Sequence, residues 1–184
     1  MPIEIPRCDE FMDKDCRGSY EIPFNRSFYW KEAEDKPREQ VNFISAWLDG
    51  SQVYGSDEET LKRLRKFEKG EMITDNLNFL PRVRNNRFNL FDAGDIRVNE
   101  NVILTCYHTI FVREHNRVAS LVLQVNPSLN DEEIFQAARN YVVGLLQKIT
   151  YEEFLPVLIG QEKYDELIGE YKGYDDTVNP GISN

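Results

Sequence analysis

Apolar positions are densest between Val98 and Val125, a stretch that holds no glycine or proline. Val102, Ile103, Leu104, Cys106, Tyr107, Ile110, Phe111 and Val112 fall on nearly every side of a 3.6-residue period. An apolar circumference predicts a central, buried helix. At 1.5 Å per residue it would be roughly 40 Å long, and Asn126-Pro127 ends it, because proline denies the next turn a donor. A second helix is expected from Asn130 as N-cap, with Asp131, Glu132 and Glu133 at the positive end of its dipole. It passes Ala138, Val142, Leu145 and Leu146 and continues toward Thr150. A third helical stretch, Tyr151 to Ile159, should bend near Pro156.

The pattern is weaker upstream. Asp57 caps an expected amphipathic helix through Leu61, Leu64 and Phe67 to Gly70. Residues 71 to 92 mix Asn, Arg and isolated apolar positions around Pro81 and read as a long loop. The first forty residues carry Pro2, Pro6, Pro23 and Pro37 and no sustained period, which predicts extended, irregular chain rather than helix or sheet. The expected fold class is mainly α, one domain or a large piece of one in 184 residues, with an irregular N-terminal segment.

Charge narrows the partners. Lys plus Arg number 22 against 32 Asp plus Glu, a net −10, so nucleic acid would be repelled over most of the surface. No apolar run approaches the roughly 20 residues that cross a bilayer, and Met1 is not followed by an export signal. Cys8 and Cys16 lie in a polar, turn-rich segment and either close a short loop or remain two thiols. Cys106 reads as a buried small hydrophobe. Asn25-Arg26-Ser27 is a glycosylation triplet.

Two segments hold candidate chemistry. Ser45, Trp47, Asp49 and Ser51 alternate along one stretch, so that hydroxyl, carbonyl and carboxylate oxygens can converge on a hard cation such as calcium. One carboxylate leaves that set incomplete, and a polar turn after a strand end is the alternative. Arg97 and Glu100 are three apart at the expected start of the central helix. Such a guanidinium stabilises developing negative charge and such a carboxylate can ligate or react, and an Arg97–Glu100 ion pair is the alternative. His108 and His115, two turns apart, stand roughly 10 Å apart along the axis and cannot share one metal.

Four segments together carry a family resemblance: WLDGSQVYGS at 47–56, AGDIRVNE at 93–100, HTIFVREHNRVA at 108–119 and ITYEEFLPVLIG at 149–160. With IPFNRS at 22–27, they resemble the animal haem peroxidase superfamily, nearest its peroxidasin, peroxinectin and myeloperoxidase branch. The resemblance implies haem and calcium as cofactors, hydrogen peroxide and a small-molecule or protein electron donor as partners, and an extracellular location. It also implies that Arg97 polarises peroxide, that Glu100 forms an ester with a haem methyl, and that Ser45, Trp47, Asp49 and Ser51 form the calcium loop.

The departures are specific. Asn101 stands where one branch has a methionine linked to haem, so that third bond should be absent. The family's distal histidine would lie upstream of Met1, and its proximal histidine beyond Asn184. His108 and His115 match motif histidines that play neither role. The resemblance therefore implies the middle of a haem peroxidase domain, inactive alone, whose parent oxidises halides, phenols or protein tyrosines. A non-enzymatic pseudoperoxidase or adhesion fragment that kept its calcium loop, and a fragment that never folds, are the alternatives.

Overall fold

A computed structural model describes residues 2–18, 20–24, 28–84 and 87–179. These fall into two units, one up to Asn42 and one from Phe43 onward. The triplet at Asn25, Arg26 and Ser27 lies outside the described residues.

In the first unit, irregular chain gives way to two small ladders where no sheet was expected. Strand β1 (Ile3–Glu4) pairs antiparallel with β2 (Glu21–Ile22), and β3 (Tyr29–Trp30) with β4 (Glu39–Gln40). Cys8 and Cys16 form a disulfide. Asp13, buried inside the loop they close, accepts hydrogen bonds from the backbone N–H groups of Cys8, Arg17 and Gly18 at 2.9, 2.9 and 3.0 Å. One carboxylate thus satisfies three backbone donors in and just beyond this short loop.

The second unit is helical: α1 (Ser51–Tyr54), α2 (Glu58–Leu64), α3 (Val102–Val125), α4 (Asp131–Lys148), α5 (Leu155–Ile159) and α6 (Gln161–Leu167). A 3-10 turn over Ile96–Asn99 precedes α3, and a π-type segment over Ile149–Phe154 joins α4 to α5. Asp57 caps α2 by accepting from the Thr60 N–H. The helix ends at Leu64, short of the expected Gly70, because Arg65 turns extended to bridge Met72 and Phe67 and Lys69 take positive φ. Residues 71–92 form the expected loop, crossed by isolated bridges Arg65–Met72 and Arg82–Phe91.

α4 begins with a capping box in which the side chains of Asn130 and Glu133 each accept from the other's backbone N–H. α3 and α4 pack over Val53, Tyr54, Leu64, Met72, Leu80, Val98, Val112, Phe135 and Val142, with a second cluster at Val118, Ala119, Ile134 and Ala138. Arg65 clamps the start of α4, reaching Asp131 at 2.8 Å and Glu132 besides, with its guanidinium over Phe135.

Burial of α3 corrects the sequence reading. Only the face carrying His108, Thr109, Val112, His115, Val118 and Ala119 is buried, while Val102, Ile103, Tyr107 and Ile110 are exposed. An apolar pattern records what a helix can bury, and here α4 and the core cover one side of it. Cys106 shares the open side and is an exposed free thiol, not the buried hydrophobe expected. No helix among the described residues is long and apolar enough to cross a membrane.

Candidate functional site

Arg97 does not sit in the first turn of α3. It lies in the separate 3-10 turn, and Asn101 then caps α3 by accepting from the Leu104 N–H at 3.0 Å. Asparagine at that position is therefore accounted for by capping. With three residues per turn, a 3-10 segment stacks positions i and i+3, so Arg97 and Glu100 lie along one side of it. The alternative of an Arg97–Glu100 pair is not what forms. Arg97 binds Asp95, through Nε at 3.0 and 3.2 Å and Nη2 at 2.5 Å, and its backbone N–H reaches the same carboxylate at 2.9 Å. These bonds hold the Asp95 carboxyl below the usual carboxylate range and raise the guanidinium above its usual value.

The turn is anchored on every other side. Val98 is buried, and its carbonyl accepts from the Thr105 hydroxyl at 2.6 Å. Asn99 meets both backbone groups of Phe91, at 2.8 Å each. Gly94 lies so close to α1 that a Cβ there would be 2.2 Å from the Ser51 carbonyl oxygen and 2.5 Å from the Gly55 nitrogen. No larger residue fits without moving one backbone off the other. Against this rigid base the Arg97 and Glu100 side chains are exposed, as are their chain neighbours Ile96, Val102 and Ile103.

The other candidate segment ends at that contact. The Ser45 N–H donates to the Ser56 hydroxyl at 2.9 Å, the Ser45 hydroxyl oxygen accepts from Trp47 N–H at 3.2 Å, and Asp49 accepts from Ser51 N–H at 3.0 Å. Gly50, in the left-handed region at φ 73°, turns the chain into α1, and Gln147 of α4 donates to the Leu48 carbonyl at 3.0 Å. The loop is thus held by hydrogen bonds of its own and one from α4, and Asp49 and Ser51 are half-buried. Among the described residues no three His, Cys, Asp or Glu side chains gather as a metal-binding group.

The two histidines are structural in different degrees. His115, fully buried, accepts from the Tyr54 hydroxyl at Nδ1 (2.9 Å) and donates from Nε2 to the Gly70 carbonyl (2.8 Å). Burial lowers its pKa to about 4, so it is neutral near pH 7, and burial likewise raises that of Tyr54. His108 donates from Nδ1 to the Leu104 carbonyl at 2.7 Å, and its buried Nε2 has no protein partner among the described residues. Spacing arguments missed Asp95. An N-cap residue two before Arg97 is the signal that could have found it.

The anchored Arg97 turn, on a mainly helical framework, defines a class before it defines a family: helical proteins that present one fixed guanidinium beside an exposed carboxylate and apolar surface. The sequence matches the animal haem peroxidase family over residues 1–184, and the chain belongs to that family. It is 36% identical to dual oxidase of Drosophila melanogaster, over 99% of this chain and 13% of that protein. To peroxinectin A of Dictyostelium discoideum it is 33% identical, over 100% of this chain and 38% of the relative. Among solved structures, peroxidase A from Dictyostelium discoideum superposes with a TM-score of 0.76 at 31% identity, covering 100% of this chain and 40% of that one. A fatty acid alpha-dioxygenase from Oryza sativa shares the fold, with a TM-score of 0.67 at 23% identity. The chain spans well under half the length of each of these relatives.

Proposed function

We propose that these residues are the central part of one haem peroxidase domain, whose parent protein oxidises halides or organic and protein donors with hydrogen peroxide. In this reading the iron-ligating and proton-accepting histidines lie on neighbouring segments of the longer protein, and this part alone is inactive. The observation that supports it most is the Arg97–Glu100 turn, fixed at its base and open at its face.

Haem fits the residues present. A flat apolar macrocycle needs exposed apolar surface, which Ile96, Val102 and Ile103 offer, and polar groups that orient it, which Arg97 and Glu100 offer. The bound group would supply the redox chemistry of its iron. Arg97, protonated at every working pH, stabilises the negative charge that grows on the departing peroxide oxygen. Glu100 holds the cofactor through an ester. Ser45, the Trp47 carbonyl, Asp49 and Ser51 give oxygen ligands to calcium, completed by an acid from elsewhere in the parent. The Cys8–Cys16 disulfide supports an extracellular place, since such bonds persist in oxidising compartments.

The test is peroxide-dependent oxidation of a phenolic donor by the full-length protein and its Arg97→Ala and Arg97→Lys variants. Loss of one preorganised charge-stabilising donor should lower kcat for peroxide by about 100-fold or more in Arg97→Ala, with haem still bound. An unchanged rate in Arg97→Ala, or a full-length protein that takes up no haem, contradicts the reading.

A further inference from the structure

Resting on that reading, we propose that Asp95 is the positioning residue for Arg97: it fixes the guanidinium in one orientation before any peroxide arrives. The geometry is specific. Asp95 is buried to within 7% of its surface, whereas the Arg97 side chain keeps 56% of its own exposed. The carboxylate takes the Nε–H and one Nη2–H in the two-point fork that fits arginine, and it also takes the Arg97 backbone N–H. The remaining guanidinium donors make no hydrogen bond to protein among the described residues. An arginine held by one edge offers its other edge in a fixed direction, and a free one must be ordered at each encounter.

Asp95 is itself held in place. Gly94, its chain neighbour, packs so closely on α1 that a Cβ there would meet the Ser51 carbonyl oxygen and the Gly55 nitrogen, which holds the backbone next to Asp95 against α1. Arg97 is the main group that favours the Asp95 carboxylate, and His108 adds a smaller electrostatic contribution. Asp95 therefore touches no reacting atom and acts through Arg97 alone.

Two variants separate positioning from folding. Asp95→Asn still caps the 3-10 turn, since asparagine accepts the same backbone N–H, but it loses the charge-assisted fork. Asp95→Glu restores the charge on a longer arm. In the haem-loaded full-length protein, Asp95→Asn should lower kcat/KM for peroxide by about tenfold or more, with haem content and donor KM unchanged, and Asp95→Glu should recover part of the loss. Without haem, the Arg97 Nε–H proton should give a resolved, slowly exchanging NMR signal in the wild type and lose it in Asp95→Asn. A haem-loaded Asp95→Asn protein with wild-type kcat/KM, or a wild type whose Arg97 Nε–H exchanges as fast as a solvated guanidinium, overturns the positioning role. A full-length protein without haem would instead overturn the peroxidase reading beneath it.

Discussion

His115 shows how one buried side chain can join four parts of a fold. Its ring receives the Tyr54 hydroxyl from α1, donates to the Gly70 carbonyl in the loop, and packs edge-on against Tyr54 and tilted against Phe135 of α4. Arg65 and Arg139 disfavour its protonation electrostatically, and Glu71 favours it weakly. The folded pKa of about 4 lies below the 6.5 of a free imidazole, so the unfolded chain binds the proton first as pH falls. Stability is therefore full above about pH 6.5 and declines toward pH 4, by on the order of 3 kcal/mol from this group. An NMR titration of the His115 ring should return a midpoint near 4, and a midpoint near 6.5 would refute the account of its burial. The sequence offered His115 as a polar residue of a helix and a motif histidine of the family, without its partners. Its partners Tyr54 and Gly70 are 61 and 45 residues away, a pairing that no local pattern encodes.

Elements were most legible at their ends. Asp57 and Asn130 cap their helices as expected, because a short side-chain acceptor next to a periodic run is a local signal. Asn101 is a third cap of the same kind, and reading it as part of a continuous helix moved Arg97 from its separate turn into α3. Arg97 and Glu100 were picked out by spacing, but the partner of Arg97 is a residue before it rather than the acid after it. The loop over residues 45–51 behaves as an element too, stiffened by Ser45, Asp49 and Gln147. If it holds calcium, binding at 100 times Kd stabilises the fold by about 2.7 kcal/mol. EGTA should thus lower the Tm of the full-length wild type by several degrees and leave Asp49→Asn unmoved, since asparagine keeps the Ser51 hydrogen bond and loses the charge. An equal response of both proteins would count against calcium at this loop.

At the scale of the whole molecule, composition restricted the answer more than it supplied one. A net charge of −10 and a mainly helical pattern fit many proteins, and the family entered through four short segments in a fixed order. The apolar circumference of α3 pointed to a central helix, whereas the described chain covers one face and leaves Ile103, Tyr107 and Ile110 exposed. That open surface adjoins the Arg97 turn in sequence. The disulfide unit was legible only as two cysteines in a polar segment, because Asp13, which organises it, leaves no periodic signature. The central claim is that the Arg97–Glu100 turn faces haem. Peptide mass mapping of the full-length protein, saturated with haem and exposed to peroxide, tests it most directly. The account predicts haem attached to the peptide that contains Glu100, and none attached there in Glu100→Gln. Recovery of the wild-type peptide at its unmodified mass would contradict it.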